Sequence, residues 1–329
     1  MARSVAVVRQ QPGAFAQLIH DYLQEKRAAG ASPRTVGHYK EVLEEVLVPF
    51  CADAGVANPA ELTNAHLNDL GAGHLDGTRS RSGRPISKAT VHSYMRAINS
   101  FLAWAKTQGE GSAARGRLPS MRKRVLDTLS REEIQQLEDA AQSERDKLIV
   151  RVLADTGLRL GELLALRPAD IRMEAGKHML KVPGRERASR AGAWVGGKGD
   201  QERLVPIAPT LARRLRRFAD RKHGGVTSDR LFLTLRRGRA SGQLDGLTES
   251  AVEQMIRSLG ETAGITKRVY PHLLRHSFAT EYLRRGGNPI LLQQILGHSS
   301  LAMITQTYQH LTVADAHDEL MRLLAADQR

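Results

Sequence analysis

The stretch that decides the fold spans residues 271–310 and reads PHLLRHSFATEYLRRGGNPILLQQILGHSSLAMITQTYQH. Pro271 suits a first helical position and Gly286 suits a C-terminal stop, so the pattern predicts a helix over 271–285. A second, shorter helix is predicted over 289–296 because that segment opens on a proline and is followed by a glycine.

The polar side chains of this stretch predict a site for an anion. In the first helix His272 and Arg275 lie three residues apart on one face of the first turn. The unpaired backbone N–H groups of this first turn and the positive end of the helix dipole also face whatever binds there. His298 follows the second helix, and Tyr308 lies ten residues further along the chain. The pattern indicates cationic and hydrogen-bonding groups around an anion, beside a phenol that could attack it.

Length and composition set the broad class. The chain has 329 residues, enough for two domains with a sizeable core. It has no apolar run of about 18–20 residues, and its N-terminus lacks the apolar segment of a secretory signal. The one cysteine, Cys51, excludes an internal disulfide framework and a cysteine-based zinc site. We therefore expect a soluble, cytoplasmic protein.

The charge points to a polyanionic partner. The sequence has 49 Lys and Arg against 35 Asp and Glu, a formal net charge of +14. A solvated basic surface would also account for this excess, but such a charge is typical of nucleic-acid-binding proteins. Aromatic residues make up only 4%, which argues against a single-strand binder that stacks bases on aromatic rings. Duplex DNA held through its phosphates fits better.

The N-terminal part predicts a small helical bundle after a loose arm at 1–12. Helical periodicity runs through 13–107 without any β pattern. The expected helices are 13–30, a segment from Pro33 that Pro49 should end, 61–70 and 87–107. The Gly-rich segment 71–86 is predicted to be a loop, and it carries Arg79, Arg81 and Arg84.

Residues 108–128 shift in composition to Gly, Ser, Pro and Arg, which predicts a basic linker between two domains. Its five clustered basic residues are Arg115, Arg117, Arg122, Lys123 and Arg124. A solvated linker is one interpretation. A strap along a DNA backbone is the other, and the total charge favours it, so we take these residues and the loop arginines as candidate phosphate contacts.

A second domain is predicted over 129–312. It opens on a capping box, in which Ser130 and Glu133 satisfy each other's backbone N–H groups. Further helices are expected at 131–141, 148–153, 159–166, 208–221 and 248–263, and strands at 178–182, 193–195 and 202–207 with a glycine-rich turn at 196–200. The tail at 313–326 has an amphipathic pattern.

Five blocks of sequence, in this order, resemble the tyrosine recombinase (phage integrase) family, close to its Xer and integron-type members. The blocks are TGLRLGELLAL around Arg159, GGKGDQER around Lys198, HLLRHSFAT at 272–280, LGHSS at 296–300 and TQTYQHLT at 305–312. The resemblance covers about residues 13–312. It implies a mainly α protein, with a helical core-binding (SAM-like) bundle and a mixed α+β catalytic domain of the DNA breaking-rejoining type with a small three-stranded sheet. The two domains would clamp duplex DNA.

The family resemblance assigns the central chemistry to three residues. Arg159 and Arg275 would grip the non-bridging oxygens of the scissile phosphate, and Tyr308 would attack the phosphorus to form a 3′-phosphotyrosyl bond. The chemistry is sound on its own, because planar guanidiniums suit the charge that develops on phosphate oxygens. A phenol with a pKa near 10 also needs cationic neighbours or a base to act as a nucleophile.

Four further residues would assist. Lys198 would be the general acid that protonates the leaving 5′-oxygen, with Lys181 as a rival because the insert at 185–192 lengthens the loop between them. His272 would assist proton transfer, and His298 would hydrogen-bond a phosphate oxygen. Glu162, one turn beyond Arg159, would support that arginine.

The resemblance therefore implies a site-specific recombinase, encoded by a bacterium or phage and associated with the nucleoid. It would act on double-stranded DNA as a dimer per site and a tetramer in synapsis, and exchange strands through a Holliday junction. A C-terminal helix at 313–329 would dock on a neighbouring protomer; packing of that helix on its own domain is the alternative. Accessory or directionality proteins are possible partners. No cofactor is expected. No metal is expected either: His272 and His276 lie four residues apart, as zinc ligands on a helix do, but Leu273 stands where a metalloprotease needs Glu. The alternatives are a type IB-like topoisomerase and a catalytically inactive DNA-binding regulator of the same fold.

Overall fold

A computed structural model of the chain describes residues 14–77, 84–120, 127–184, 202–222, 229–235 and 244–297. The chain divides into two compact units, residues 1–124 and 125–329. Each unit has its own hydrophobic core. Four of the predicted features lie outside the described residues: the arm at 1–12, the strand at 193–195, the turn at 196–200 and the tail helix at 313–326.

The regular elements in the described part of the first unit are all helical, as the periodicity predicts. Its α-helices are α1 (Ala14–Ala28), α2 (Pro33–Val42), α3 (Val48–Asp53), α4 (Asn64–Asp76) and α5 (Lys88–Thr107). Ser32 and Ser87 cap α2 and α5 by accepting a backbone N–H three residues on. Tyr22 lies at the centre of the core and donates to Ser100 Oγ at 2.8 Å, which satisfies its buried hydroxyl.

The prediction that Pro49 ends the second helix was wrong. A π-helical turn at Leu43–Leu47 joins α2 to α3, and Pro49 lies in the first turn of α3. Proline cannot donate a backbone hydrogen bond and its ring presses on the preceding turn. The first turn of a helix tolerates a proline because its N–H groups need no partner within the helix, and the π turn lets α3 begin just before Pro49.

The predicted loop at 71–86 was also partly wrong, because α4 continues to Asp76. Thr63 caps the start of this helix, and Gly73 is buried within it. Gly77 ends the helix in the left-handed conformation at φ 92°. Gly77, one of the glycines that suggested a loop, thus ends a helix instead.

The second unit packs helices around the buried helix α7. The α-helices are α6 (Arg131–Ala140), α7 (Glu144–Thr156), α8 (Leu160–Leu164), α9 (Pro209–Lys222), α10 (Glu249–Thr262), α11 (Pro271–Arg284) and α12 (Pro289–Leu296). The capping box forms as predicted, with Ser130 N–H donating to Glu133 at 2.7 Å and Glu133 N–H donating to Ser130 Oγ at 3.2 Å. In the stretch 271–310, α11 and α12 begin at Pro271 and Pro289 and end just before Gly286 and at Gly297, as predicted.

The small sheet has three antiparallel strands in the order β1 (Ile171–Glu174), β2 (Lys177–Val182), β3 (Arg203–Pro206). This confirms the three-stranded sheet, but β1 was not predicted. Only its first residue, Ile171, is buried, so no alternating pattern marks the strand. Ala175 and Gly176, at φ 47° and 74°, form the tight turn to β2.

No helix among the described residues is both long and apolar enough to cross a membrane.

Candidate active site

Arg159 occupies the N-cap position of α8 and is fixed there by Glu162. Its backbone N–H donates to Glu162 Oε2 at 2.8 Å, and its Nη1 donates to Glu162 Oε1 at 2.9 Å. The left-handed Gly157, at φ 62°, ends α7 two residues earlier and turns the chain into this position. The side chain of Arg159 remains 24% exposed, so the guanidinium is anchored yet accessible.

Arg275 reaches the same place from α11. It is only 4% exposed, and its Nη1 donates to Gly157 O at 2.5 Å while its Nη2 donates to Leu296 O at 2.9 Å. Arg159 Nη2 donates to the next carbonyl, that of Gly297, at 2.9 Å. The last carbonyls of a helix have no partner within the helix, and here they orient two guanidiniums. The structure therefore brings together two of the predicted site arginines.

A third arginine, Arg203 at the start of β3, was missed by sequence reasoning. Its Nη1 and Nη2 donate to Glu162 Oε1 and Oε2 at 2.8 and 2.9 Å. Glu162 is fully buried between two guanidiniums. Burial opposes ionisation of this carboxyl, but the bonds from Arg203 and the charge of Arg159 outweigh it, so the pKa of Glu162 is lowered. Glu162 thus carries the negative charge that supports Arg159.

His272 lies on the first turn of α11 with its side chain exposed. Partial desolvation lowers the pKa of its imidazole, and the positive charges of Arg275 and Arg159 lower it further. At neutral pH the ring is therefore neutral and has one nitrogen that can accept a proton.

Three of the predicted catalytic residues, Lys198, His298 and Tyr308, lie outside the described residues. The rival lysine, Lys181, lies on β2 and pairs with Glu202 at 2.6 Å. Whether Lys198 or Lys181 supplies a proton therefore stays a prediction from the sequence.

Two basic residues of the predicted linker are held against the first unit by asparagines. The backbone N–H groups of Arg115 and Arg117 donate to Asn64 and Asn68 at 2.7 and 3.2 Å, and Asn99 exchanges two hydrogen bonds of 2.9 Å with the backbone of Gly116. The arginine side chains are exposed, as is that of Arg84. The other predicted DNA contacts, Arg79, Arg81, Arg122, Lys123 and Arg124, lie outside the described residues.

Within the described ranges, no group of three or more His, Cys, Asp or Glu side chains is arranged to hold a metal ion. At the site described above, the clustered titratable groups are the guanidiniums, Glu162 and His272. Such a set suits the binding of an oxyanion.

Comparison with known proteins decides the family. The sequence profile of the phage integrase family matches residues 127–315, which is more than half of the chain. The chain belongs to the phage integrase family. This phage integrase is 31% identical over 306 residues to tyrosine recombinase XerC of Xanthomonas axonopodis pv. citri (strain 306), covering 88% of the chain and 90% of the relative. Tyrosine recombinase XerA of Saccharolobus solfataricus is 28% identical over 320 residues, which cover 96% of this chain and 95% of XerA.

Solved structures confirm the fold. The Tn1549 transposon integrase in complex with transposon right end DNA superimposes with a TM-score of 0.69 at 18% identity, over 94% of this chain and 99% of that one. The predicted family and the mainly α fold with a small three-stranded sheet are confirmed. The chain is therefore a tyrosine recombinase, an enzyme of site-specific recombination.

Proposed function

We propose that this recombinase cuts and rejoins duplex DNA by attack of Tyr308 on a phosphate held between Arg159 and Arg275. One observation carries the proposal: the two guanidiniums, from α8 and α11, donate to the carbonyls of Gly297 and Leu296, directly before His298 in the sequence. Double-stranded DNA as the substrate is supported by the net charge of +14 and by structural neighbours such as the Tn1549 integrase, which was solved with DNA.

The proposed cleavage step exchanges one phosphate ester for another. The phenolic oxygen of Tyr308 forms a bond to phosphorus, the bond from phosphorus to the 5′-oxygen breaks, and the 3′ end stays attached to the enzyme. Charge that develops on the non-bridging oxygens meets the two fixed guanidiniums. Rejoining is the reverse reaction, in which the free 5′-hydroxyl attacks the phosphotyrosine, so the exchange needs no external energy source.

Two proton transfers accompany the step. His272 is neutral at pH 7 because its pKa is lowered, so it assists removal of the phenolic proton from Tyr308. Lys198 supplies a proton to the departing 5′-oxygen, and His298 donates a hydrogen bond to a phosphate oxygen. Glu162 stays ionised and holds Arg159 in place.

We further propose that the basic loop and connector contact the DNA backbone. The asparagine bonds that fix the backbone at Arg115 and Arg117 leave both side chains exposed, which suits phosphate contacts that do not read sequence. Arg84, Arg79, Arg81, Arg122, Lys123 and Arg124 would act likewise. Replacing Arg115 or Arg117 by Gln should reduce the slope of log Kd against log salt by roughly 1 each. An unchanged slope would remove these contacts from the proposal.

The assembly proposed for strand exchange is a dimer per site and a tetramer in synapsis, with exchange through a Holliday junction in the cytoplasm. Residues 313–329 are proposed to dock on a neighbouring protomer. Truncation after Thr312 should then leave binding of one protomer to a half-site intact and abolish the tetrameric complex, measured by light scattering on a full-site duplex. A tetramer that survives truncation would contradict the docking.

The covalent intermediate tests the function directly. The full-length protein first selects its binding sequence from a random duplex library, and the selected site is then made as a half-site with a nick near the cleavage point. The released fragment diffuses away, so a 3′-phosphotyrosyl adduct should accumulate and shift on a denaturing gel. Tyr308→Phe should bind the duplex normally and form no adduct. An inactive wild type, or an adduct that survives Tyr308→Phe, would contradict the proposal.

A further inference from the structure

Arg203 links the functional site to three parts of the second unit at once. It begins β3, its side chain is 12% exposed, and its two terminal nitrogens donate to both oxygens of the fully buried Glu162. Its Nε donates to the carbonyl of Ile295 at 2.7 Å. One guanidinium therefore joins the sheet, the N-terminus of α8 and the C-terminus of α12.

The last turn of α12 is held by arginines from three different elements. The consecutive carbonyls of residues 295, 296 and 297 accept hydrogen bonds from Arg203, Arg275 and Arg159, at 2.7, 2.9 and 2.9 Å. Arg159 thus has two supports, Glu162 and the end of α12. Arg203 binds both of those supports itself.

Gly297 shows how closely Arg203 packs against this turn. A Cβ built on Gly297 would lie 2.9 Å from Arg203 Nη1 and 3.0 Å from its Cζ. The glycine has φ 63°, a conformation that other residues adopt at a cost. The guanidinium therefore has little room to move.

We propose that Arg203 is a positioning residue of the recombination reaction, which fixes Glu162 and the end of α12 so that Arg159 meets the phosphate in a set orientation. The inference rests on the proposed function, because it assigns Arg203 to the same phosphate site. Arg203 acts through Arg159 and through the residues that lead into His298, and does not itself need to touch DNA. A displacement of about 1 Å in such a supporting group is enough to slow a reaction severely.

Lysine cannot replace arginine in this role. An ammonium is a single point charge, whereas the guanidinium spans two carboxylate oxygens and donates to a carbonyl through a third nitrogen. Arg203→Lys therefore keeps the positive charge at the site but cannot make the three hydrogen bonds to Glu162 and Ile295 together. Arg214→Lys is the matched control, because Arg214 also donates to a buried glutamate, Glu138 at 2.7 Å, but contacts none of the site residues described above.

The test compares three quantities for both variants on the selected duplex: the folded fraction from thermal unfolding, the Kd, and the single-turnover rate of adduct formation on the nicked half-site. Arg203→Lys should form the adduct roughly 10–100-fold more slowly, with Kd unchanged. Arg214→Lys should match the wild-type rate once the folded fraction is accounted for. Equal rates in the two variants would overturn the inference.

Chemical rescue separates a positioning role from a general loss of stability. Folded Arg203→Ala should regain adduct formation with low, non-denaturing concentrations of guanidinium chloride and not with ammonium chloride at equal ionic strength. Failure of guanidinium to rescue the folded variant would also overturn the inference. Absence of an adduct with the wild-type protein is a different result, because it removes the proposed function itself.

Discussion

Two clusters in the second unit have the same composition and different surroundings. Each places one buried glutamate between two arginines. We call them the Glu162 cluster, made of Arg159, Glu162 and Arg203, and the Glu138 cluster, made of Arg151, Glu138 and Arg214. In both clusters burial opposes ionisation of the glutamate, the guanidiniums outweigh it, and the pKa of the carboxyl is lowered.

The difference lies in the other partners of the arginines. In the Glu138 cluster the remaining bonds go to side chains on helix surfaces: Arg151 donates to Gln135 at 2.8 Å, and Arg214 donates to Glu144 at 3.0 Å. In the Glu162 cluster they go to backbone carbonyls at the end of α12. Side-chain partners tie α6, α7 and α9 together but can shift with their rotamers. Backbone partners fix the direction of a guanidinium, which is what a phosphate site needs.

Arg275→Lys should slow cleavage more than any other substitution considered. Arg275 donates to the same turn of α12 as Arg159 and Arg203, and it is proposed to contact the phosphate. Loss of one preorganised donor to a developing oxyanion slows a reaction on the order of 10²–10³-fold. Arg151→Lys in the Glu138 cluster should leave the rate unchanged at a temperature where both proteins are folded. Single-turnover cleavage of the nicked half-site measures this, and near-normal cleavage by Arg275→Lys would break the assignment.

Glu162→Gln and Glu138→Gln compare the two clusters by changing the central glutamate of each. Each removes a buried counter-charge from two partly buried guanidiniums, and removing one partner of a buried ion pair costs about 3–5 kcal/mol of stability. The loss should be smaller for Glu138→Gln, because Arg214 keeps Glu144 and Arg151 keeps Asp155 as partners. Glu162→Gln should in addition slow cleavage roughly 10–100-fold, because Arg159 loses its support. Chemical denaturation and cleavage rates separate the two effects. Equal slowing by the two substitutions would mean that both clusters act only through stability.

The cleavage rates of Gly297→Ala and Gly264→Ala should differ by less than those of the glutamate variants. Both glycines end helices in the left-handed conformation, at φ 63° and 69°, so each alanine costs about 1–2 kcal/mol. Space around Gly264 is open within 4 Å, whereas the Cβ at 297 meets the Arg203 guanidinium. Only Gly297→Ala should therefore also reduce the cleavage rate. A rate that falls equally in both variants would contradict the close packing of Arg203 on α12.

The smallest expected difference is in acid stability. A carboxyl whose folded pKa is lowered contributes stability above its unfolded pKa of about 4.3, and this contribution is lost as the pH falls through the folded value. The stability difference between wild type and Glu138→Gln should therefore shrink below about pH 4, and so should that for Glu162→Gln. Asp155 has the opposite shift, since burial raises its pKa and the charge of Glu138 raises it further. Glu138→Gln therefore also changes Asp155, and Glu162→Gln is the cleaner of the two comparisons. A difference that does not change with pH would contradict the lowered pKa values.

Sequence reasoning found the parts of the site that depend on local signals. Prolines and glycines marked the ends of α11 and α12, and the family resemblance assigned Glu162 to Arg159, a partner only three residues away. Arg203 was missed although it ends the quoted block GGKGDQER. Its partners Glu162 and Ile295 lie 41 and 92 residues away, and no local pattern records such contacts.

The fold shows the same division. The capping box at Ser130 is local and was predicted. The continuation of the helix through Pro49 depends on a π turn before it, and β1 is recognised only by its pairing with β2. Where packing rather than local preference decides the structure, the sequence pattern was insufficient.

The proposed convergence of Arg159 and Arg275 on one phosphate is tested most directly by removing the charge of that phosphate. A methylphosphonate at the cleavage position replaces one non-bridging oxygen by a methyl group. If both guanidiniums serve that charge, Arg159→Ala and Arg275→Ala should lose far less cleavage activity on this substrate than on the ordinary phosphate, each measured against wild type. Equal losses on the two substrates would show that neither arginine neutralises the scissile phosphate.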